Sequence, residues 1–485
     1  MSNQLQYADR DRFSQLSDHF ISWLRQNPGV RVSPKLRIAD LRPEGSSRGV
    51  VACADINEDE ELFAIPQDLI LSFQNSKLKE QTNINENDLG PWLCLILVMI
   101  YEYLQGGASR WSPYFEILPT DFDTLMFWSD SELQELKGSA IVNKIGKSGA
   151  EEAILRDLLP VISQNPHLFP PINGLSSYDS PNGRIALLAL AHRMGSLIMA
   201  YAFDIEKGED EDQEGEDGYV TDEEEQQLSK GMVPLADLLN ADADRNNARL
   251  FQEEGYFAMK SIKPIRHGDE IFNDYGELPR SDLLRRYGYV TDNYAQYDIV
   301  ELPIQTICRA AGLGSATPGP EEPRLDFLDD LGIFDDGYSI PRINQPIPLA
   351  EAIPEELLIV LHTLTTPLDQ LDQLRRRNKA PKPTLGLAEA SLLAEVIRQS
   401  QNEYPTTIAQ DAQLLASPGA NQGYLHSTTE RRLKMALQVR KGEKEILSQI
   451  LGLLEEFIVQ ASGSNAAPKR MTEHSADSNG KRRKL

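Results

Sequence analysis

The sequence predicts an α+β fold, in which small antiparallel sheets are split by a large helical insertion and followed by an all-α C-terminal domain. Short apolar runs between Gly, Pro, Asn and Asp indicate strands on both sides of the insertion. Residues 89–203 follow a helical pattern of apolar positions, and so does most of the chain beyond residue 300. A strand-rich fold interrupted in this way argues against a doubly wound nucleotide-binding domain.

The strands are predicted from short runs of Val, Ile, Leu and Phe. Residues 49–53, 62–65 and 69–71 form three such runs before the insertion. After it, residues 248–251 and 256–259 flank a Gln-Glu-Glu-Gly turn, and this arrangement predicts a β-hairpin. The runs are short, so we expect small antiparallel sheets.

The helices and domain limits follow from stop signals and caps. An amphipathic helix opens the chain and stops at Asn27-Pro28-Gly29. The motif Ser427-Thr428-Thr429-Glu430 is predicted to be a capping box at the start of a long helix, in which Gly442 is a weak point. The predicted domains are an N-terminal helix (1–32), a first sheet part (33–75), a helical insertion (76–230), a second sheet part (231–292), a helical C-terminal domain (300–460) and a disordered tail (461–485).

The composition indicates an intracellular protein without disulfides, metal sites or membrane segments. Three widely spaced cysteines, Cys53, Cys94 and Cys308, match neither a disulfide framework nor a zinc site. Seven histidines occur without an HExxH motif, so no metal is predicted. The longest apolar run, residues 91–104, is too short to cross a bilayer and is interpreted as a buried helix.

The charge is strongly acidic, with a formal net value of −26. It argues against direct binding to nucleic acid and favours a basic protein partner, such as a ribosomal protein or a histone tail. Acidic residues crowd into residues 204–226, which we expect to be a disordered loop. The loop could steer a basic substrate, or it could be a solvated segment without such a role.

Three polar motifs lie where predicted strands meet loops. They are SRGVVA (47–52), PLADLLN (234–240) and GDEIFNDYG (268–276), and Tyr287-Gly288-Tyr289 follows twelve residues after Tyr275. Each is a weak signal alone, because Arg-Gly forms turns, Asn240 could cap a helix and Tyr275 could be a core residue. Their order and joint presence indicate an active site.

Together these motifs resemble the SET domain of protein-lysine methyltransferases, in the subfamily with a long helical insertion and a C-terminal domain like the substrate-binding domain of the Rubisco large-subunit methyltransferase (LSMT). The segment RWSPY (110–114) resembles part of that insertion, and residues 433–447 resemble the long helix of that C-terminal domain. The segment LNADAD (239–244) is similar to the corresponding segment of fungal ribosomal lysine methyltransferases of the fourth kind. The resemblance covers about residues 15–460.

The resemblance implies S-adenosyl-L-methionine as the cofactor. Gly49 suits a close backbone approach because it has no Cβ, and the Asn240 amide can bond the cofactor's adenine edge or carboxylate. Ala241 stands where the family often has histidine, which puts a side-chain contact there in doubt. The implied cofactor-binding residues are Arg48, Gly49, Val50, Asp237, Asn240, Ala241 and Tyr275.

The resemblance also implies that Tyr275 and Tyr287 are the catalytic residues of a lysine channel, with Tyr201 and Tyr289 as further walls. A core aromatic is the alternative for Tyr201. A lysine amine has an ordinary pKa of about 10.4, so deprotonation at pH 7 costs roughly 4–5 kcal/mol. An aromatic channel lowers that cost by desolvating the ammonium group. Tyr289 replaces a phenylalanine common in the family and leaves less room, which predicts monomethylation.

Other functions remain open at this point. Ala241 and the large C-terminal domain are compatible with a non-catalytic SET-fold binding module, and a nuclear or histone protein is an alternative substrate. A Rossmann-type methyltransferase would need a glycine-rich loop after a first strand, which is missing.

A bipartite nuclear localisation signal is predicted in the tail. Lys469-Arg470 and residues 481–484 are basic clusters separated by ten residues. They predict binding to a nuclear import receptor and a nuclear location. The alternative is a basic tail that contacts the acidic body or RNA.

Overall fold

The computed structural model of the protein describes residues 2–42, 47–205, 228–314, 317–319, 321–377, 379–417 and 427–464. Of the predicted disordered loop 204–226, residues 206–226 lie outside the described residues, as do the two basic clusters of the tail. Asp204 and Ile205 belong to a strand instead, because they pair with Lys230 and Ser229. The chain forms two compact units, Met1–Ile299 with Tyr404–Glu443 and Val300–Glu403 with Lys444–Leu485. The domain limits given above stay predictions.

The strands are short, as the apolar runs predict. They are β1 (Arg31–Val32), β2 (Leu36–Asp40), β3 (Arg48–Ala52), β4 (Glu61–Pro66), β5 (Leu71–Ser72), β6 (Ala202–Ile205), β7 (Ser229–Met232), β8 (Ala248–Glu253), β9 (Tyr256–Ser261), β10 (Glu270–Ile271), β11 (Ile299–Pro303) and β12 (Gly337–Pro341).

The helices dominate the insertion and the C-terminal half. They are α1 (Ser2–Gln26), α2 (Leu78–Gln81), α3 (Glu86–Gln105), α4 (Ser112–Phe115), α5 (Asp130–Leu133), α6 (Lys147–Ala153), α7 (Leu159–Gln164), α8 (Pro181–Tyr201), α9 (Arg280–Tyr287), α10 (Ile304–Ala310), α11 (Pro323–Asp330), α12 (Leu349–Ala352), α13 (Glu355–Thr365), α14 (Leu368–Arg376), α15 (Leu387–Glu403), α16 (Ile408–Leu415) and α17 (Thr428–Ser464).

Among its described residues, the first unit contains three antiparallel sheets. Their strand orders are β1-β4-β9-β8, β10-β3-β2 and β5-β7-β6. The predicted hairpin is confirmed as β8 and β9, and each strand is two residues longer than predicted. The run 69–71 forms a strand only at β5, because residues Gln67–Leu69 make a 3₁₀ turn after Pro66. The predicted α+β class is confirmed.

Helices α3 and α8 contribute many of the buried residues at the centre of the first unit. Leu97 and Leu197 are fully buried in one cluster with Phe63 of β4 and Phe20 of α1. By length and composition alone, residues Glu86–Ala108 could cross a membrane. The middle of α3 is nevertheless buried in this cluster, and the core helix of a globular protein passes the same test.

The segment Tyr404–Glu443 completes a second cluster in the first unit. Met435, Ala436 and Val439 of α17 pack with Trp128 and Leu136 of the insertion. The same segment brings several buried polar groups to the insertion. Arg440 pairs with Asp411 at 3.0 Å and also donates to the Glu135 carbonyl at 2.7 Å. Arg432 pairs with Glu132 at 2.9 Å, and the Ser139 hydroxyl donates to Glu443 at 2.6 Å.

Helix α17 begins as predicted and passes its glycine without a break. The Ser427 hydroxyl accepts from the Glu430 amide at 3.3 Å, and the Glu430 carboxylate accepts from the Ser427 amide at 2.9 Å. A Cβ on Gly442 would overlap the Asp298 carboxylate and lie 2.5 Å from Nη2 of Arg280. Gly442 is therefore a close-packing position rather than a weak point.

The second unit is mainly helical, with one small sheet formed by β11 and β12. Helix α13 packs against α11 and α15. Leu325, Leu357 and Leu393, one from each of these helices, are fully buried.

Candidate active site

The Asn240 side chain joins its own motif to the other two predicted motifs. Strand β10 pairs with β3, with Glu270 opposite Val51, and the Glu270 carboxylate reaches back to Gly49 near the start of β3. The Asn240 amide donates to the Glu270 carboxylate at 2.7 Å and to the Arg48 carbonyl at 3.3 Å. Sequence reasoning placed Glu270 in the third motif but assigned it no role, because its pairing partner Val51 is more than two hundred residues away.

Gly49 is held in close contact with this cluster. A Cβ there would overlap the Leu41 side chain and lie 2.7 Å from Oε1 of Glu270 and 3.1 Å from Nδ2 of Asn240. The protein's own side chains therefore require glycine at this position. The neighbouring Val50 is buried, so it is the backbone of β3 that lies beside Asn240.

The Arg48 side chain points away from this cluster. Its guanidinium group donates to the Ile117 carbonyl at 3.0 Å and lies 4.1 Å from the centre of the Phe13 ring. Burial lowers the pKa of Arg48 from its ordinary value. Only the backbone of Arg48 therefore takes part in the Asn240 cluster.

Ala241 connects the cluster to the Asn-Asp-Tyr-Gly motif through backbone atoms. It forms a parallel bridge with Asn273, whose amide donates to the Asn240 carbonyl at 2.9 Å. A backbone connection of this kind does not depend on the side chain at position 241. The alanine is thus compatible with the geometry of the motif.

Tyr275 and Tyr287 form a stacked pair. Their ring centroids are 4.1 Å apart and their planes differ by 7°. A cavity of about 230 Å³ opens beside them. Its lining residues are Met199, Ala200, Tyr201, Ala202, Phe203, Ala236, Asp237, Asn273, Asp274, Tyr275, Arg286 and Tyr287.

Burial sets the ionisation of the tyrosines. It raises the pKa of Tyr201 to about 12 and raises the pKa of Tyr275 well above its ordinary value. Both hydroxyls are therefore protonated at neutral pH. The ring centroid of Tyr289 is 6.3 Å from that of Tyr287, with the planes tilted by 57°, and Tyr289 does not line the cavity. Its buried hydroxyl has no hydrogen-bond partner in the described part of the chain.

Asp237 is the carboxylate buried in the cavity wall. The Tyr114 hydroxyl donates to its Oδ2 at 2.6 Å, whereas Oδ1 has no hydrogen-bond partner among the described residues. Burial raises the pKa of Asp237 to about 7, although the bond from Tyr114 opposes that rise. Tyr114 is 123 residues from Asp237 and belongs to the insertion motif, so sequence reasoning did not place it here.

The backbone before Asp237 is strained. Leu235 is fully buried with φ +81° and ψ −36°, a conformation that costs on the order of 1–3 kcal/mol for a non-glycine residue. The buried side chains around the 3₁₀ turn Ala236–Leu238 hold this conformation in place. Such strain is typical of sites whose geometry serves a function.

The donor set suits an organic cation rather than a metal. Within the described ranges, no group of three His, Cys, Asp or Glu side chains could hold a metal ion. A cavity with tyrosine faces and a buried carboxylate is suited to ammonium and sulfonium groups. The orphaned Oδ1 of Asp237 and the amide of Asn240 therefore fit S-adenosyl-L-methionine and a lysine side chain.

Comparison with known proteins agrees with this chemistry. The SET domain model matches residues 47–276, and the Rubisco LSMT substrate-binding model matches residues 322–447. Ribosomal lysine N-methyltransferase 4 of Saccharomyces cerevisiae is 36% identical over 309 residues, which are 62% of this chain and 60% of that protein. The match thus spans less than two thirds of the yeast protein. N-lysine methyltransferase SETD6 of Mus musculus is 29% identical over 465 residues, covering 90% and 89% of the two chains.

A solved structure shows the same fold. Rubisco LSMT bound to AdoMet superposes with a TM-score of 0.66 at 21% identity, covering 92% of this chain and 93% of that one. The predicted resemblance, enzyme class and cofactor are confirmed. The chain thus carries a match to the SET domain followed by a match to the Rubisco LSMT substrate-binding domain, and the relatives that it resembles are protein-lysine methyltransferases.

Proposed function

We propose that this protein transfers a methyl group from S-adenosyl-L-methionine to a lysine of a large-subunit ribosomal protein and stops at monomethyllysine. The yeast relative's name supports a ribosomal substrate. The net charge of −26 supports a basic protein as the partner. The observation that carries the catalytic part is the stacked Tyr275–Tyr287 pair, which lies beside Tyr201 and Asp237 in one cavity.

The cavity residues act on the lysine side chain by position and desolvation. The tyrosine faces hold its methylene groups and exclude water, which lowers the pKa of the ammonium group and reduces the cost of deprotonation. When bound, S-adenosyl-L-methionine supplies an electrophilic methyl group. The protonated Tyr275 hydroxyl can hydrogen-bond at the point of transfer, so the chain's contribution is mainly alignment and a preorganised polar site.

The test is the substitution Tyr275→Phe, which removes one hydroxyl and keeps the ring stack. Ribosomal proteins from a fungal strain without lysine methyltransferases are incubated with labelled cofactor, and the product is mapped by mass spectrometry. We expect kcat to fall more than tenfold, a barrier increase above about 1.4 kcal/mol, with cofactor affinity nearly unchanged. Tyr178→Phe is the matched control, because Tyr178 is buried elsewhere and bonds the Pro170 carbonyl at 3.3 Å.

Two results would contradict the proposal. Retention of more than a tenth of kcat in Tyr275→Phe would remove Tyr275 from the reaction. Cofactor binding without transfer to any ribosomal protein would favour a binding module, and transfer to histones alone would favour a nuclear substrate.

The degree of methylation rests on Tyr289. Its ring lies against Tyr287, which lines the cavity, and its buried hydroxyl has no partner among the described residues. We expect monomethyllysine from the unchanged enzyme and additional methyl groups from Tyr289→Phe. Trimethyllysine made by the unchanged enzyme, detected by intact-mass measurement, would refute this.

A nuclear location and an import receptor as partner are part of the same proposal. The two basic clusters in residues 469–484 support them. Import would let the enzyme meet ribosomal proteins before assembly, while their lysines are still exposed.

A further inference from the structure

A second cavity lies beside the one that Tyr275 lines. It has a volume of about 170 Å³, and apolar side chains form most of its wall. Among them are Trp92, Ile96, Met126, Ile154 and Met199. Trp92, Met126 and Met199 are only partly buried, so the cavity opens at the surface of the first unit.

The two cavities are neighbours. Met199 lines both of them, and the consecutive residues Arg285 and Arg286 of α9 line one cavity each. An extended chain rises about 3.3 Å per residue and places alternate side chains on the same side. A substrate chain whose lysine lies beside Tyr275 therefore brings a side chain about two residues away to the second cavity.

The wall of the second cavity contains a hydroxyl group without a partner. Thr124 is 3% exposed and lines the cavity, and its Oγ1 has no hydrogen-bond partner in the described part of the chain. Buried polar atoms are nearly always hydrogen-bonded, so this hydroxyl indicates an absent ligand that carries a polar group. A polypeptide combines an apolar side chain with backbone N–H and C=O groups and meets both requirements. A pure hydrocarbon would leave the hydroxyl unpaired.

The backbone around the cavity keeps this space open. A π-helical turn, Ile154–Leu158, begins at its wall, and such turns are frequent at functional sites. His192 of α8 lies 3.0 Å from the carboxylate of Glu151 on α6, which fixes two helices of the wall to each other. Gly195 of α8 also lines the cavity, and a Cβ there would meet only Cδ1 of Ile96, at an ordinary 3.5 Å. Packing does not require this glycine, although glycine weakens a helix, and its effect is to leave the cavity unfilled.

We propose that the second cavity is a specificity subsite, which takes an apolar side chain of leucine to phenylalanine size from the substrate protein, close to the methylated lysine. This inference rests on the methyl transfer proposed above. An engineered apolar cavity of about 150 Å³ binds benzene, so the volume of about 170 Å³ accommodates a side chain of this size. The shared residue Met199 makes the subsite continuous with the cavity of the tyrosine pair.

Occupancy of the subsite is measured without any methyl transfer. Benzyl alcohol, an apolar ring with one hydroxyl, is added to protein with ¹³C-labelled methionine methyl groups, and NMR spectra are recorded. The signals of Met126 and Met199 should shift, whereas that of Met99, which is fully buried and lines neither cavity, should not. Thr124→Val replaces the hydroxyl by a methyl group and should weaken benzyl alcohol binding about fivefold while toluene binding stays within about twofold. An unshifted Met126 signal overturns the proposal.

Substrate preference is measured by fluorescence polarisation with a set of synthetic peptides. Each has one central lysine among Gly, Ser and Arg, and each but one carries a single phenylalanine at a different distance from the lysine. Phenylalanine about two residues from the lysine, on one side, should lower Kd by about tenfold or more relative to the peptide without it. Gly195→Leu fills the cavity and should remove this gain. Gly195→Ala narrows the cavity by one methyl group and should reduce the gain about threefold, which keeps the test decisive should the leucine variant not fold.

The matched control is Gly149→Leu on α6. A Cβ at Gly149 would have no neighbour within 4 Å, and Gly149 does not line the cavity, so this variant should keep the full gain. Equal Kd values for all peptides, or a gain that survives in both Gly195 variants, overturn the subsite even if a ribosomal protein is methylated. A gain that only the Gly195 variants lose supports the subsite, and it does so even if no ribosomal protein is methylated and the proposed substrate fails.

Discussion

Gly442 offers a sharp test of how tightly the first unit is packed. It lies in α17 against the buried ion pair of Arg280 and Asp298, whose closest nitrogen and oxygen atoms are 2.6 Å apart. The two side chains are 7% and 5% exposed, and the pair is held by further bonds at 3.0 and 3.2 Å. A Cβ at position 442 would meet both side chains, which have no solvent-facing alternative.

The magnitude follows from two opposing effects of Gly442→Ala. Alanine favours a helix over glycine by about 1 kcal/mol. Displacing a buried ion pair costs about 3–5 kcal/mol, because it leaves charges without their partners. The free energy of unfolding should therefore fall by about 2–4 kcal/mol. Gly452 of the same helix lies in the second unit and controls for the helix preference alone, because a Cβ there would have no neighbour within 4 Å. Gly452→Ala should raise the stability of the second unit by about 1 kcal/mol, which is followed by circular dichroism.

The assay is urea unfolding followed by circular dichroism and by tryptophan fluorescence. The four tryptophans, at positions 23, 92, 111 and 128, all lie in the first unit and report its unfolding separately. A Gly442→Ala protein as stable as the wild type, or stabilised as Gly452→Ala should be, would refute the packing argument.

Three further predictions concern binding and location. Asn240→Ala removes the bonds to Glu270 and Arg48 and should raise the cofactor dissociation constant in calorimetry by at least tenfold; an unchanged constant would remove Asn240 from the cofactor site. If residues 206–225 steer a basic substrate, kcat/KM should fall steeply with ionic strength and less steeply after their deletion, whereas parallel salt curves would exclude steering. A fluorescent fusion of residues 461–485 should enter the nucleus, and replacing its six basic cluster residues by alanine should abolish import; equal nuclear-to-cytoplasmic ratios would contradict the signal.

The sequence predicted the parts of the site that belong to local motifs. Asn240 and Tyr275 were found because they belong to recognisable strand–loop motifs, and Tyr287 because Tyr-Gly-Tyr follows twelve residues after Tyr275. The structure brings the ring centroids of Tyr275 and Tyr287 to 4.1 Å. The hairpin and the start of α17 were also predictable, since turn residues and caps act within a few positions.

The contacts that sequence reasoning missed join distant residues. Tyr114 meets Asp237 across 123 positions, and the Glu270 carboxylate lies against Gly49 of β3 because β10 pairs with that strand. From the sequence, Gly442 was interpreted as a weak point of the helix. The Arg280–Asp298 pair, which leaves no room for a Cβ at position 442, lies far away in sequence. Periodicity records which face of an element is buried, but it does not record which partner covers that face.

The return of the chain at Tyr404–Glu443 has a consequence for biogenesis. During synthesis, residues 1–299 emerge long before the segment that supplies Met435, Ala436 and Val439 to the cluster of Trp128 and Leu136. Until then that apolar surface is uncovered in the nascent chain, and uncovered apolar surface favours aggregation and chaperone binding. The first unit therefore cannot complete its folding as residues 1–299 emerge. It becomes complete only after residue 443 has been synthesised.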